Sequence, residues 1–275
     1  MFEEKFKTRT GKICDKWSIY ISVYERLLAE FPHISKILEI GVQNGGSLEL
    51  WALCFPEATH IIGCDIDPRC ANLAFDDPRI SVIVNNANGD DAETQILAKS
   101  PRFDLIVDDG SHRSSDIIHT FARYFRHLND GGVYVAEDLH CSYWKEFGGG
   151  LLHPGSAMAF FKQLADVINY EHWGLTAARK ELLISFSRHY GVNFDDDVLA
   201  HVHSMEFVNS MCIIRRRAPA ENSLGLRRLS GADAAVNAHV LPMANTRSRP
   251  FDQRQNPWSA LARLAEEKSQ EQPKQ

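Results

Sequence analysis

Two short runs of this sequence end in paired acids. Phe103-Asp104-Leu105-Ile106-Val107 is followed by Asp108-Asp109-Gly110-Ser111-His112, and Gly132-Val133-Tyr134-Val135-Ala136 by Glu137-Asp138. An apolar run rich in β-branched residues that stops at a carboxylate reads as a buried parallel strand presenting its acids at the C-terminal end, where open α/β sheets bind ligands. Between the two runs, Ile117 to Leu128 carries apolar residues at helical spacing, which predicts a crossover helix and places the strands parallel and adjacent. Asp108, Asp109, His112, Glu137 and Asp138 then converge on one crevice. Acids so crowded repel unless a cation sits among them, and a divalent metal is the natural neutraliser. An imidazole beside such a metal is suited to taking a proton from a hydroxyl nucleophile.

A second group of residues reads as a binding turn. Leu38-Glu39-Ile40-Gly41-Val42-Gln43-Asn44-Gly45-Gly46-Ser47 puts glycines where a strand becomes a helix, allowing a ligand close to the backbone. The spacing is GxxxGG, not the GxGxxG of dinucleotide sites, and Glu39 would repel a pyrophosphate. An acid there favours a ligand bearing an ammonium or sulfonium. Asp65, ending the next strand, is placed to accept hydrogen bonds from vicinal ribose hydroxyls, and Asn85 and Asn86, ending the third, to face an adenine edge.

Positioning these groups requires strict β-α alternation. Strands are predicted at Lys36 to Val42, His60 to Asp65, Arg79 to Asn85 and the two acid-tipped runs. Helices are expected from Gly45-Gly46-Ser47 onward, from Asp67 to about Phe75 and from about Asp90 to Lys99. A helix from about Ser156 to Tyr170 and closing strands at Val202 to Phe207 and Ser210 to Arg217, turning at Val208-Asn209, complete an α/β, doubly wound, mostly parallel seven-stranded sheet. Residues 1–34 are expected as a helical lead or lid, with Trp17 to Leu28 helical. Residues 35–217 are expected as the main domain, and 218–275 as a poorly ordered tail with a short amphipathic helix at Trp258 to Leu264. The glycine-rich loop Phe147-Gly148-Gly149-Gly150 and the aromatics Tyr143 and Trp144 are candidates for a lid or for stacking on a sugar.

The ordered motifs resemble class I S-adenosylmethionine-dependent methyltransferases, and among them the metal-dependent O-methyltransferases of macrolide sugars, the mycinamicin type. The likeness spans about residues 12–217. It rests on Asp15-Lys16 with Tyr20 and Tyr24-Glu25, Leu38 to Val42 with Gly45-Gly46-Ser47, and Cys64-Asp65-Ile66-Asp67. It continues through Asp108 to His112, Glu137-Asp138 with Tyr143-Trp144, and Ser204-Met205-Glu206-Phe207 before Asn209-Ser210. The resemblance implies a Rossmann-like methyltransferase fold, S-adenosyl-L-methionine as methyl donor and Mg²⁺ held by Asp109, Glu137 and Asp138. It implies His112 as general base, with Asp109 beside it in the catalytic group. Glu39, Gly41, Gly45, Ser47, Asp65, Asn86 and Asp108 are the expected cofactor contacts. Where such enzymes often carry Gly-Asp-Gln after the third strand, Asn85-Asn86-Ala87 stands here.

The expected reaction is methyl transfer to a hydroxyl of a sugar or glycosylated small molecule. Two other readings share these residues: a catechol or phenol O-methyltransferase, and a non-catalytic methyltransferase-like partner in a biosynthetic complex. A nicotinamide oxidoreductase is disfavoured by the glycine spacing. A net charge of −6 argues against nucleic acid as partner. Six scattered cysteines without a CxxC pair, no apolar leader and no membrane-length apolar run lead to the expectation of a cytoplasmic protein, with a homo-oligomer open.

Overall fold

The computed structural model describes residues 2–259. The expected helix at Trp258 to Leu264 falls almost wholly outside them. Seven strands form one sheet in the order β3-β2-β1-β4-β5-β7-β6. They are β1 Lys36–Ile40, β2 His60–Asp65, β3 Ile80–Val84, β4 Phe103–Asp108, β5 Leu128–Ala136, β6 Val202–Val208 and β7 Met211–Arg216. The first five run parallel, and β7 and β6 close the sheet antiparallel. After β3 the chain crosses back to lay β4 against β1. The strand order therefore reverses between β1 and β4, and their carboxyl ends open a crevice.

Alternating residues divide the core into two layers. Leu38, Ile40, Ile62, Cys64, Ile106 and Tyr134 face one side, and Ile37, Ile61, Leu105, Val107, Val133 and Val135 the other. The second face is covered by α1 Phe2–Thr8, α2 Ser18–Glu30 and α3 Gly46–Cys54, through Phe2, Tyr24 and Trp51. The first face carries α4 Asp90–Lys99, α5 Ser114–Tyr124 and α6 Ala157–Ile168, where Phe121, Phe160 and Phe161 meet. Local chemistry sets the helix ends. Asp90, Asp91 and Glu93 in the first turn of α4 and Lys99 in its last complement the helix dipole. Ser156 caps α6 by accepting from Ala159 N.

Some expectations are revised. The lead is helical from Phe2, because that ring is buried against Tyr24 and Trp51. After β2 there is only a 3₁₀ turn, Pro68–Asn72. The crossover helix ends at Tyr124, and Leu128 already belongs to β5. Gly131-Gly132, expected from the sequence to cap the crossover helix and start the fifth strand, does neither. Phe103 pairs with Leu128 but Leu105 with Val133, so the glycines lie in an irregularity within β5 where Gly131 takes φ +92°. The closing hairpin turns at Asn209-Ser210, with β6 running on to Val208. Residues 171–199, without a clear pattern, contain α7 Arg179–Leu182, α8 Ile184–Tyr190 and α9 Asp196–Leu199. Beyond β7, residues 218–259 hold two 3₁₀ turns and one bridge, Leu226 with Arg247. No described helix is long and apolar enough to cross a membrane, and all six cysteines are unpaired.

Candidate active site

A cavity of about 540 Å³ lies over the carboxyl ends of β1, β2, β4 and β5. Of the expected residues, Gly41, Ser47, Asp65, Asn86, Asp108, Asp109, His112, Glu137 and Asp138 line it, while Glu39 and Gly45 do not.

The glycine turn is built by close packing. At Gly41 (φ +93°) a Cβ would lie 2.0 Å from the Asp109 carbonyl oxygen, so the first glycine lets β1 and β4 close up beneath the cavity. Asp65 Oδ2 accepts from Val42 N (2.7 Å) and Gln43 N (3.0 Å), and Oδ1 from Asp67 N (2.8 Å). This carboxylate therefore pins the turn to β2 and has only its remaining lone pairs for a ligand. Asn86 Oδ1 already accepts from Asn88 N at 3.0 Å. Gly45, at φ +78°, is held by packing, since a Cβ there would meet the Phe75 ring.

Glu39 sits behind the wall, fully buried. Its Oε2 accepts from Trp51 Nε1 at 2.9 Å, and its Oε1 has no hydrogen-bond partner among the described residues. Burial pushes its carboxyl up to about 7, opposed by the Lys16 ammonium. Asp108 is similarly enclosed, accepts from Tyr134 Oη at 3.0 Å, and is also pushed up to about 7 by burial.

The acid pairs are organised by a segment to which the sequence reading assigned no chemical role. Lys16, with a side chain only 2% exposed, donates to Asp109 Oδ2 (2.6 Å) and Glu137 Oε2 (2.8 Å). These two carboxylates outweigh its desolvation and hold the ammonium charged. On α2, Tyr20 and Tyr24 stand one turn apart on one face. Tyr24 Oη donates to Glu137 Oε1. Tyr20 Oη donates to Asp138 Oδ1 (2.7 Å) and accepts from Asp138 N (3.0 Å), and Trp17 Nε1 adds a bond to the same oxygen at 3.0 Å. The i, i+4 tyrosines after a lysine were the available signal, each matched to one member of the Glu137-Asp138 pair.

Asp109, His112 and Asp138 bring ligand-type atoms within 4.8 Å of one another, with His112 Nε2 at 3.6 Å from Asp138 Oδ2. Glu137, expected among the metal ligands, has both oxygens engaged by Lys16 and Tyr24. Three cavity-lining residues, Gln43 (φ +49°), His112 (φ +56°) and Asp138 (φ +54°), adopt left-handed backbone, which costs energy in a non-glycine residue and gathers at functional sites. Two carboxylates beside an imidazole suit a hard divalent cation with open positions left for other oxygens. The adjoining glycine turn leaves space of cofactor size, and the unpartnered Glu39 oxygen supplies negative character behind it. The residues therefore fit both groups expected from the sequence. The Gly148 to Gly150 run does not line this cavity. It folds back on the preceding turns, with Gly150 N donating to Ser142 O at 2.9 Å.

Comparison with known proteins bears on this geometry. Residues 38–139 match a family profile described as a methyltransferase domain. The chain is 33% identical over 177 residues to 8-demethyl-8-alpha-L-rhamnosyl tetracenomycin-C 2'-O-methyltransferase of Streptomyces olivaceus, covering 60% of this chain and 46% of that protein. It is 34% identical over 147 residues to mycinamicin VI 2''-O-methyltransferase of Micromonospora griseorubida, covering 50% of this chain and 36% of that protein. The chain thus spans less than half the length of these curated relatives. Among solved structures, the MycE methyltransferase in complex with Mg, SAH and mycinamycin VI superposes with a TM-score of 0.62 at 22% identity, over 86% of this chain and 56% of that one, which is a likeness of fold. Residues 38–139, which carry the glycine turn and both acid-tipped strand ends, are thus the part of the chain that is similar to methyltransferase domains.

Proposed function

We propose that this protein is a metal-dependent O-methyltransferase that moves the methyl group of S-adenosylmethionine to a hydroxyl of a sugar on a glycosylated small molecule. The observation that carries this reading is the convergence of Asp109, His112 and Asp138 in the cavity that also contains the Gly41 turn and Asp65. The named activities of the two relatives, both O-methyltransferases, support it.

Transfer from a sulfonium to an alcohol breaks a sulfur–carbon bond, forms a carbon–oxygen bond and releases the hydroxyl proton. The chain must hold the donor, hold the acceptor oxygen in line and take that proton. Gly41, Ser47, Asp65 and Asn86 line the donor end, with Glu39 behind them. His112 Nε2 receives the proton, and Asp138 Oδ2, 3.6 Å away, stabilises the imidazolium that forms. Asp109 and Asp138 would hold Mg²⁺, and Glu137, expected from the sequence as a third ligand, would join them only by giving up a contact to Lys16 or Tyr24. A bound Mg²⁺ supplies charge stabilisation for the developing alkoxide. Tyr20 and Trp17 orient Asp138, and Lys16 offsets the charge of Asp109 and Glu137.

An aliphatic sugar hydroxyl needs a base more than a phenol does, so an imidazole at the metal cluster favours the sugar reading over the catechol one. The test is transfer of labelled methyl to a panel of glycosylated acceptors and to catechol, with and without a chelator. Transfer to glycosides that stops with chelator and returns with Mg²⁺ is the expected result. The reading fails if S-adenosylmethionine does not bind at millimolar concentration, or if no glycoside is methylated.

A further inference from the structure

A second cavity, of about 320 Å³, is lined by Leu139 and His140, the two residues that follow Asp138. It is lined by the buried Leu139, by Met158 and Lys162, one turn apart on α6, and by Phe207 of β6. His140, Tyr143 and the hairpin residues Val208, Asn209 and Ser210 complete the lining. The lining follows directly from the active-site strand, because Leu139 and His140 are the residues after Asp138. Ser210 holds the corner together: its Oγ lies 2.5 Å from His140 Nδ1, and its carbonyl accepts from Leu139 N at 2.9 Å.

Three features distinguish this cavity. Its aromatic lining is left in solvent, with Tyr143 and Phe207 each more than two-fifths exposed, although such rings ordinarily bury most of their area. Trp17, His140 and Trp144 form a continuous edge-to-face row, with centroids 5.8 and 4.9 Å apart, in which Trp17 bonds the Asp138 carboxylate and His140 lines this cavity. Lys162 is exposed and makes no ion pair among the described residues, so its ammonium is available at the edge of an otherwise apolar hollow.

We propose that this second cavity is the subsite for the non-sugar part of the acceptor, an apolar ring body with an anionic or strongly hydrogen-bond-accepting substituent facing Lys162. The proposal rests on the methyl-transfer reading above for what the ligand is, but the site itself can be examined without turnover. A glycoside seated this way has its rings between Met158 and Phe207 and its sugar reaching past His140 to Asp138 and His112. Acceptor choice then follows from α6 and the β6–β7 turn, outside the sequence that carries the donor turn and the acids.

The test uses 1-anilinonaphthalene-8-sulfonate, an apolar ring system with an anionic group, titrated by fluorescence into the 275-residue chain. One-to-one binding is expected, weakened at least about tenfold by Met158→Trp, which fills the hollow, by Lys162→Glu and by Phe207→Ala. Affinity for S-adenosylmethionine stays unchanged in each. Lys162 and Phe207 are solvent-exposed, so those two variants keep the test open should Met158→Trp not fold. Any glycoside found to be methylated should displace the dye, and its KM should rise about tenfold or more in Lys162→Glu with kcat preserved. No one-to-one dye binding, equal binding by all variants, or an unaltered glycoside KM would each overturn the proposal. Dye binding that responds to the variants in a protein that methylates no acceptor would leave the cavity standing and remove the methyl-transfer reading instead.

Discussion

His112 and Asp138 face one another across the cavity with Nε2 and Oδ2 3.6 Å apart, and both hold left-handed backbone, at φ +56° and +54°. Each is the turning residue of a loop that leaves a parallel strand, so the strain of both loops is spent on bringing one imidazole to one carboxylate. Asparagine tolerates this backbone better than most residues, which makes it the suitable probe at both positions. His112→Asn should cut methyl transfer by about two to four orders of magnitude, the usual worth of a general base, and leave S-adenosylmethionine affinity unchanged by calorimetry. Turnover close to that of the parent protein would take His112 out of the chemistry.

Asp138→Asn retains the loop and the bonds from Trp17 and Tyr20 in outline but removes a charge. Divalent-metal affinity, read by calorimetry with Mn²⁺, should fall at least about tenfold, on the scale of losing one good ligand interaction. The melting temperature should change little. Unchanged metal affinity would mean that the cation is held elsewhere.

Lys16 lies between Asp109 and Glu137 with almost no exposure. Removing one partner of a buried ion pair typically costs about 3–5 kcal/mol, so Lys16→Met should be destabilising on that scale in urea unfolding. Glu137→Gln in the same chain should recover a large part of the loss, because the uncompensated carboxylate has gone. Additive losses in the double variant would show that the three groups are not coupled.

Much of this was readable from residue types. The acid-tipped strands, the glycine turn and the parallel order follow from apolar runs of fixed length ending in carboxylates, signals local to a few residues. Lys16 was not readable in that way. Nothing near it in the sequence marks a buried ammonium, since its partners at 109 and 137 come from strand tips far along the chain. Glu39 shows the opposite limit. An acid before a glycine turn suggests a ligand contact, yet whether its carboxylate reaches the cavity or turns to Trp51 is decided by how α3 packs. The glycines at 131 and 132 look like a helix end because glycine serves caps and strand irregularities alike.

The buried Glu39 also sets a pH dependence. Its folded-state carboxyl, pushed up to about 7 from an ordinary value near 4.5, keeps its proton where the unfolded chain has lost it. Its effect on stability is therefore absent below about pH 4.5 and grows as the pH rises to about 7. Above that it becomes a full penalty of about 3 kcal/mol. Glu39→Gln, which resembles the protonated acid, should flatten the fall in stability between pH 5 and 8 measured by urea unfolding. A residual slope from Asp108, shifted the same way, should remain. Identical slopes in the two proteins would show that Glu39 ionises freely.

The contacts from Trp17, Tyr20 and Tyr24 to the acids at 137 and 138 bear on how the chain can be divided. Residue 34 separates a helical lead from the sheet on paper, but the ammonium and phenols that tame the strand-tip acids all lie on the lead. A shortened chain starting at β1 would keep every strand and lose the counter-charge at its own centre. Phe2, Tyr24 and Leu27 of the same lead also cover one face of the sheet, so packing and charge balance at the strand tips both depend on a segment that contributes no strand.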